Sequence, residues 1–394
     1  MFKGYTAELK GDLGIRWRRV QTAVREAGAD GLLANSNINI FYLTGRIFMG
    51  YMYLPAEGDP LFFVRRPCGL TGDGVAEIRK PEQIPGLMTD CGITLPDKLM
   101  LEGDDLAFSE WLRLETCFAG KEMADGSALL RRARAVKTPY EVGLMKETGA
   151  RHAKVIARFP DVYERGMTDQ QWTVAMCRLM LEAGSLGLFR VAGRSMEAFM
   201  GTVLAGDNGA AVSPYDFALG GAGMHSSLPV GQCGVVLEGG MSVMADVCAN
   251  FYGYLTDCTR TFAVGHLAAD AVMAHQVSIE ITQTMTAAAK PGVRCDELYA
   301  LALGMAEKAG LADCFMGTVQ KAQFVGHGTG IVINELPVIG PRSKDLLETG
   351  MCLALEPKFV IEGTGAVGIE DTVLVSDAGG VNLTPCDPAL VSVG

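Results

Sequence analysis

Five side chains of the kind that bind metal ions lie in stretches that otherwise read as buried strands. They are Asp246 in SVMADVCA, Asp257 in YGYLTDCTRTF, His327 in FVGHGTG, Glu356 in MCLALEPKFV and Glu370 in AVGIEDTVLV. A strand core of Met, Val, Leu and Ile strips an ionised carboxylate of water, a large cost unless a counter-charge compensates. Four such carboxylates in one half of the chain need a strong shared counter-charge. Two divalent cations supply it, which points to metal-assisted hydrolysis. An oxygen-rich donor set suits Mn²⁺, Co²⁺, Fe²⁺ or Zn²⁺ and leaves the choice to availability.

The remaining composition narrows the setting. At 394 residues the chain can build two domains with full cores. A net charge of −11 argues against a nucleic-acid or membrane-surface partner. No apolar run is long enough for a membrane span, and MFKGYTAELKGD lacks the apolar stretch of a signal peptide. The 11 cysteines are scattered with no CxxC pair, as expected of reduced thiols in the cytoplasm. Cys248 and Cys258 flank the two aspartates, and read better as small core residues than as ligands.

Along the chain, residues 1–125 read as an α/β domain and 126–394 as an α+β domain, with Lys137 near the junction. In the first, Leu13 to Ala27 has helical spacing; Gly31–Ala34, Ile40–Leu43, Leu61–Val64 and Lys98–Leu101 read as strands; and Asp105 to Cys117 is helical. Helices follow at Ser127–Val136, from Thr138-Pro139 with Glu141 at capping-box spacing, and at Thr168–Glu182 with Trp172, Met176 and Met180 on one face. Beyond Gly187, glycine-rich turns separate apolar strands, with helices near Ala268–Ala288 and Asp296–Ala309. One antiparallel sheet covered by helices on one face is the expectation.

Asp246 and Asp257 are 11 residues apart, and Ala249 to Gly253 reads as the turn of a hairpin that brings both carboxylates to one site. Asp257 could instead pair with Arg260. His327 sits between glycines that permit close backbone approach. Glu356 and Glu370 end apolar runs, and Glu is rarely buried without a partner. His152, His266 and His275 read as structural.

The ordered set Asp246, Asp257, His327, Glu356 and Glu370 resembles the pita-bread metallopeptidases of family M24: methionine aminopeptidase, aminopeptidase P, prolidase and their relative creatinase. YGYLTDCTRTFAVG, FVGHGTGIVINELP, LALEPKF and GIEDTVLV carry the likeness, and NINIFYLTG and VKTPYEVGLMK resemble the N-terminal domain and linker of the prolidase and creatinase branch. The resemblance implies a pita-bread catalytic domain, two metal ions and a homodimer. It implies that Asp257 and Glu370 bridge the ions, that Asp246 binds one, and that His327 and Glu356 bind the other. A bridging water would attack the carbonyl and Glu356 would shuttle its proton. His225 falls where the family has another active-site histidine, a donor to the developing oxyanion. The chain also departs from the family. Asn334 stands where peptidases carry a histidine, seven residues after His327, and Gly368 where many carry arginine, two before Glu370. Asn334 could donate to substrate but is no proton-transfer acid. Arg190 and Arg194 are open to pairing with a substrate carboxylate or to lying on the surface.

These features lead to a dinuclear hydrolase of short peptides, Xaa-Pro dipeptidase- or aminopeptidase-like. The alternative is a non-peptide enzyme of the same fold: a creatinase- or ectoine hydrolase-like amide or amidine hydrolase, or a metal-dependent lyase of the dimethylsulfoniopropionate kind. A non-catalytic binding module is the third reading, and the intact ligand set weighs against it.

Overall fold

The computed structural model describes residues 1–192 and 199–394, which form two compact units, Met1–Arg134 and Ala135–Gly394. The first is a six-stranded mixed sheet. Its order is Val75–Glu77, Leu61–Arg66, Met49–Pro55, Gly31–Ala34, Lys98–Leu101 and Glu122–Asp125. Helices Ala7–Glu26 and Phe108–Cys117 accompany it.

The run expected as a strand at Ile40–Leu43 is instead the middle of helix Asn37–Thr44. Both ends are capped: the Ser36 side chain accepts from Asn39 N, and Gly45 closes the helix at φ 70°. The buried Glu102 carboxylate accepts from Ser36 N at 2.8 Å and Ser36 Oγ at 2.6 Å, compensating the start of the helix. A four-residue apolar run cannot by itself distinguish a buried helix from a strand; the caps decide.

In the second unit, helices Pro139–Ile156 and Asp169–Glu182 begin with complete capping boxes at Thr138/Glu141 and Thr168/Gln171. Strands Ser242–Asn250 and Leu255–Val264 form a long antiparallel hairpin, flanked by Gly201–Ala205 and, in parallel, Val391–Val393. A five-stranded antiparallel sheet contains Gly326–Gly328, Cys352–Leu355 and Asp371–Leu374. A separate hairpin joins Lys358–Ile361 to Gly365–Gly368. The single sheet expected from sequence is therefore two sheets and a hairpin. Glycine-rich turns look alike whether they return a strand to its own sheet or pass it to the next.

Strand alternation assigns the four carboxylates to their faces. Val243, Ala245, Val247 and Ala249 pack with Trp172, Met176 and Met180, as do Cys258, Phe262 and Val264. Asp246 and Cys248 on one strand, and Asp257 and Thr259 on the other, therefore face away from those helices. Their register confirms it: Asp246 lies opposite Thr259, and Cys248 opposite Asp257. In the other sheet, Leu353, Leu355, Val373 and Val375 pack with helices Ala269–Ala288 and Cys295–Lys308. Glu356 and Glu370 fall on the alternate positions.

Candidate metal centre

The two sheets meet at the ligands. Glu370 N donates to Thr259 O at 3.1 Å, Thr259 N returns to Glu370 O at 3.3 Å, and Thr259 Oγ1 donates to Glu370 Oε2 at 2.7 Å. This junction brings all five expected ligands into two overlapping triples. Asp257, His327 and Glu370 offer atoms within 4.8 Å of one another, and so do Asp246, Glu356 and Glu370. Arg260 does not pair with Asp257. Its guanidinium donates to Asp371 Oδ1 at 2.6 Å and to the carbonyls of Thr259, Glu370, Cys386 and Asp387, which locks the two sheets together.

The donor groups of the first triple are prepared for a cation. His327 Nδ1 lies 3.1 Å from Gly328 O; a carbonyl only accepts, so the ring proton sits on Nδ1 and the Nε2 lone pair is free to ligate. Nε2 faces Glu356 Oε1 at 3.4 Å. Glu370 Oε1 is buried without a hydrogen-bond partner, and no described residue donates to the Asp257 carboxylate. Burial, reinforced by Glu370, Asp246 and Glu356, pushes the Asp257 carboxyl well above its usual range. Burial likewise raises Glu356, and raises Glu370 to about 8 despite the opposing pull of Lys358. Such a cluster gains from a divalent ion, and the residues of this triple fit one.

The second triple already holds a cation. Lys358, with its side chain 0% exposed, places Nζ 2.7 Å from Asp246 Oδ2, 2.7 Å from Glu356 Oε2 and 3.2 Å from Glu370 Oε2. Burial disfavours its charge, but Asp246, Glu356 and Glu370 outweigh that and hold it protonated. This residue was missed from sequence. Its signal was the one used for the carboxylates: a charged residue opening the apolar strand KFVI, two positions after Glu356.

The cluster opens into a cavity of about 150 Å³ lined by Asp246, Asp257, His327 and Glu356, by Asn334 and Asp216, and by an apolar wall including Phe189, Phe217 and Phe324. Asn334 is held at both ends of its amide: Oδ1 accepts from Ala192 N and Nδ2 donates to Ala192 O, each at 2.8 Å. Cys248 also lines the cavity, where burial first and then Asp257 and Asp246 raise its thiol well above the usual range. His225 is not brought to the cluster. It is exposed, with Nδ1 2.8 Å from Ser227 Oγ, and is not among the cavity-lining residues. The residues flanking it in GGAGMHSSLPVG form an open turn rather than a wall of the site. Arg190 is half-buried, with its carbonyl accepting from Ile333 N at 2.8 Å; Arg194 lies outside the described residues.

Two sheets backed by helices thus meet at a carboxylate-imidazole cluster whose oxygen and nitrogen donors suit a divalent ion. Residues 143–377 match the model of metallopeptidase family M24, and residues 16–136 match the creatinase/prolidase N-terminal domain. The chain belongs to family M24, in its prolidase and aminopeptidase P branch, and is a hydrolase. It is 26% identical over 386 residues to a putative dipeptidase, YkvY, of Bacillus subtilis (strain 168), covering 94% of this chain and 97% of that one. It is 32% identical over 185 residues to an Xaa-Pro dipeptidase of Pyrococcus furiosus, 47% of this chain and 51% of the relative. Among solved structures, an Xaa-Pro dipeptidase from Bacillus anthracis superposes with a TM-score of 0.79 at 22% identity, over 97% of this chain and 100% of that one.

Proposed function

We propose that the protein is a metal-dependent hydrolase of short peptides, acting as an Xaa-Pro dipeptidase or aminopeptidase. The observation that carries this reading is the gathering of Asp246, Asp257, His327, Glu356 and Glu370 into two overlapping donor sets, with the first four lining one walled cavity, in a family M24 chain. The two donor triples offer places for at most the two ions expected from sequence, with Glu370 common to both.

A divalent ion on Asp257, His327 and Glu370 would polarise the scissile carbonyl and acidify the attacking water. The chain's own groups supply the rest. Gly328 O fixes the His327 tautomer. Glu356 Oε1, beside His327 Nε2, accepts the water proton and delivers it to the leaving nitrogen. Phe189, Phe217, Phe324 and Ile333 exclude water and seat an apolar side chain or proline ring. Asp216 supplies an acceptor for a free α-amino group. The role considered for His225, hydrogen bonding to the oxyanion, would require its turn to fold inward.

A non-peptide substrate of the same centre is the second reading. It is favoured by Asn334, whose amide is spent on Ala192 rather than offered to a proton-transfer step. A homodimer in the cytoplasm completes the proposal, and free thiols at all 11 cysteines suit a reducing compartment.

The test is turnover of a panel of Xaa-Pro dipeptides, matched dipeptides without proline, and small amides. Preferential cleavage of Xaa-Pro bonds is expected. Turnover of the amides alone moves the assignment to the second reading.

A further inference from the structure

We propose that the Lys358 ammonium takes the place of one of the two ions, so that the centre binds a single divalent cation on Asp257, His327 and Glu370. The inference rests on the metal-dependent reading above and fixes the stoichiometry of its site.

An ion at Asp246, Glu356 and Glu370 would need oxygens at roughly 2.0–2.2 Å. The ammonium is already bonded to Asp246 Oδ2, Glu356 Oε2 and Glu370 Oε2 at 2.7, 2.7 and 3.2 Å. Its three N–H groups match those three oxygens in number, so Lys358 leaves no donor unused.

Nor can it readily leave. Lys358 O accepts from Met316 N at 2.8 Å, and Lys358 N lies 3.4 Å from Met316 Sδ. Across the hairpin it faces Gly368, at φ +148°, where a Cβ would lie 2.7 Å from Pro357 O and 3.1 Å from Lys358 Cα. The glycine keeps the two backbones close, and the lysine stem is enclosed.

A second divalent ion would be forced against the ammonium on the same three oxygens, two like charges side by side in a buried site. Lys358 is thus a positioning residue. It orients Glu356 through Oε2 and leaves Oε1 facing His327 for proton work.

The test is to strip the full-length protein, dialyse it against Mn²⁺, count bound ions by mass spectrometry and record the Mn²⁺ electron paramagnetic resonance spectrum. Wild type should bind one magnetically isolated ion per chain, and Lys358→Ala should gain a second, coupled to the first. Two coupled ions in wild type would overturn the proposal and leave the metal-dependent reading standing. No bound ion in either protein would overturn both. Should Lys358→Ala fail to fold, the wild-type count and spectrum decide alone.

Discussion

Asp257 and Glu370 are poor residues for a metal-free core and good ones for a loaded centre. Burial pushes each carboxyl upward; at Asp257 the neighbouring carboxylates add to the push, and at Glu370 Lys358 opposes it without undoing it. Removing one charge should therefore have opposite effects in the two states. Asp257→Asn is expected to raise the melting temperature of the stripped protein by roughly 2–4 °C, the shift that about 1 kcal/mol brings in a unit this size. The same variant should lose the stabilisation that added metal gives wild type, and at least about a thousandfold in kcat/KM, the scale of losing the principal electrostatic catalyst. Thermal melts with and without Mn²⁺ check both arms. Asn334 acts at a different level, through its two hydrogen bonds to Ala192. Each is worth roughly 0.5–1.5 kcal/mol, so Asn334→Ala should lower kcat/KM about tenfold, mainly through KM, with bound metal unchanged. Steady-state kinetics beside a metal count separate that outcome from damage to the centre.

Among the elements, the junction of the two sheets depends on Arg260. Its pair with Asp371 is nearly inaccessible to water, at 4% and 8% side-chain exposure. Arg260→Met strands a buried carboxylate and should cost roughly 3–5 kcal/mol, whereas Arg260→Met with Asp371→Leu should recover much of that. Denaturant unfolding of the two variants measures the difference. Helix Pro139–Ile156 carries a second dependence. His152 is fully buried, with Nδ1 3.1 Å from Thr256 Oγ1, and burial pushes its pKa down from 6.5 to about 3. Between those values the unfolded chain binds the proton and the folded chain does not. Its contribution is therefore intact above 6.5 and is lost as pH falls, at up to about 1.4 kcal/mol per unit. His152→Gln should flatten the fall in melting temperature between about pH 6.5 and pH 4. Elements were legible in the sequence where a physical signal was unambiguous. Thr138 with Glu141, and Trp172 with Met176 and Met180, announced their helices through caps and spacing. Asn37–Thr44 did not, because its caps lie outside the apolar run that was read as a strand, and its partner Glu102 is distant in sequence.

On the scale of the whole molecule, the fold class and the clustering of the five candidate ligands were legible because both rest on rules that operate locally. A buried carboxylate needs a partner, and strand alternation sends Asp246 and Asp257 to one face. What stayed hidden depends on distance. Nothing between Ser242 and Val375 states that the strands divide into two sheets. Arg260 finds Asp371 rather than Asp257 only because Glu370 and Thr259 pair across the junction. Lys358 was visible in KFVI, but its reach to Asp246 is a fact of three dimensions. The carboxylate-imidazole cluster is expected to work only with a bound divalent ion. The most direct test is to remove metal with a chelator, reload in graded amounts and follow hydrolysis of an Xaa-Pro dipeptide against bound ion. Activity should vanish on stripping and return in proportion to occupancy. Full activity in protein shown to be free of metal would contradict that dependence.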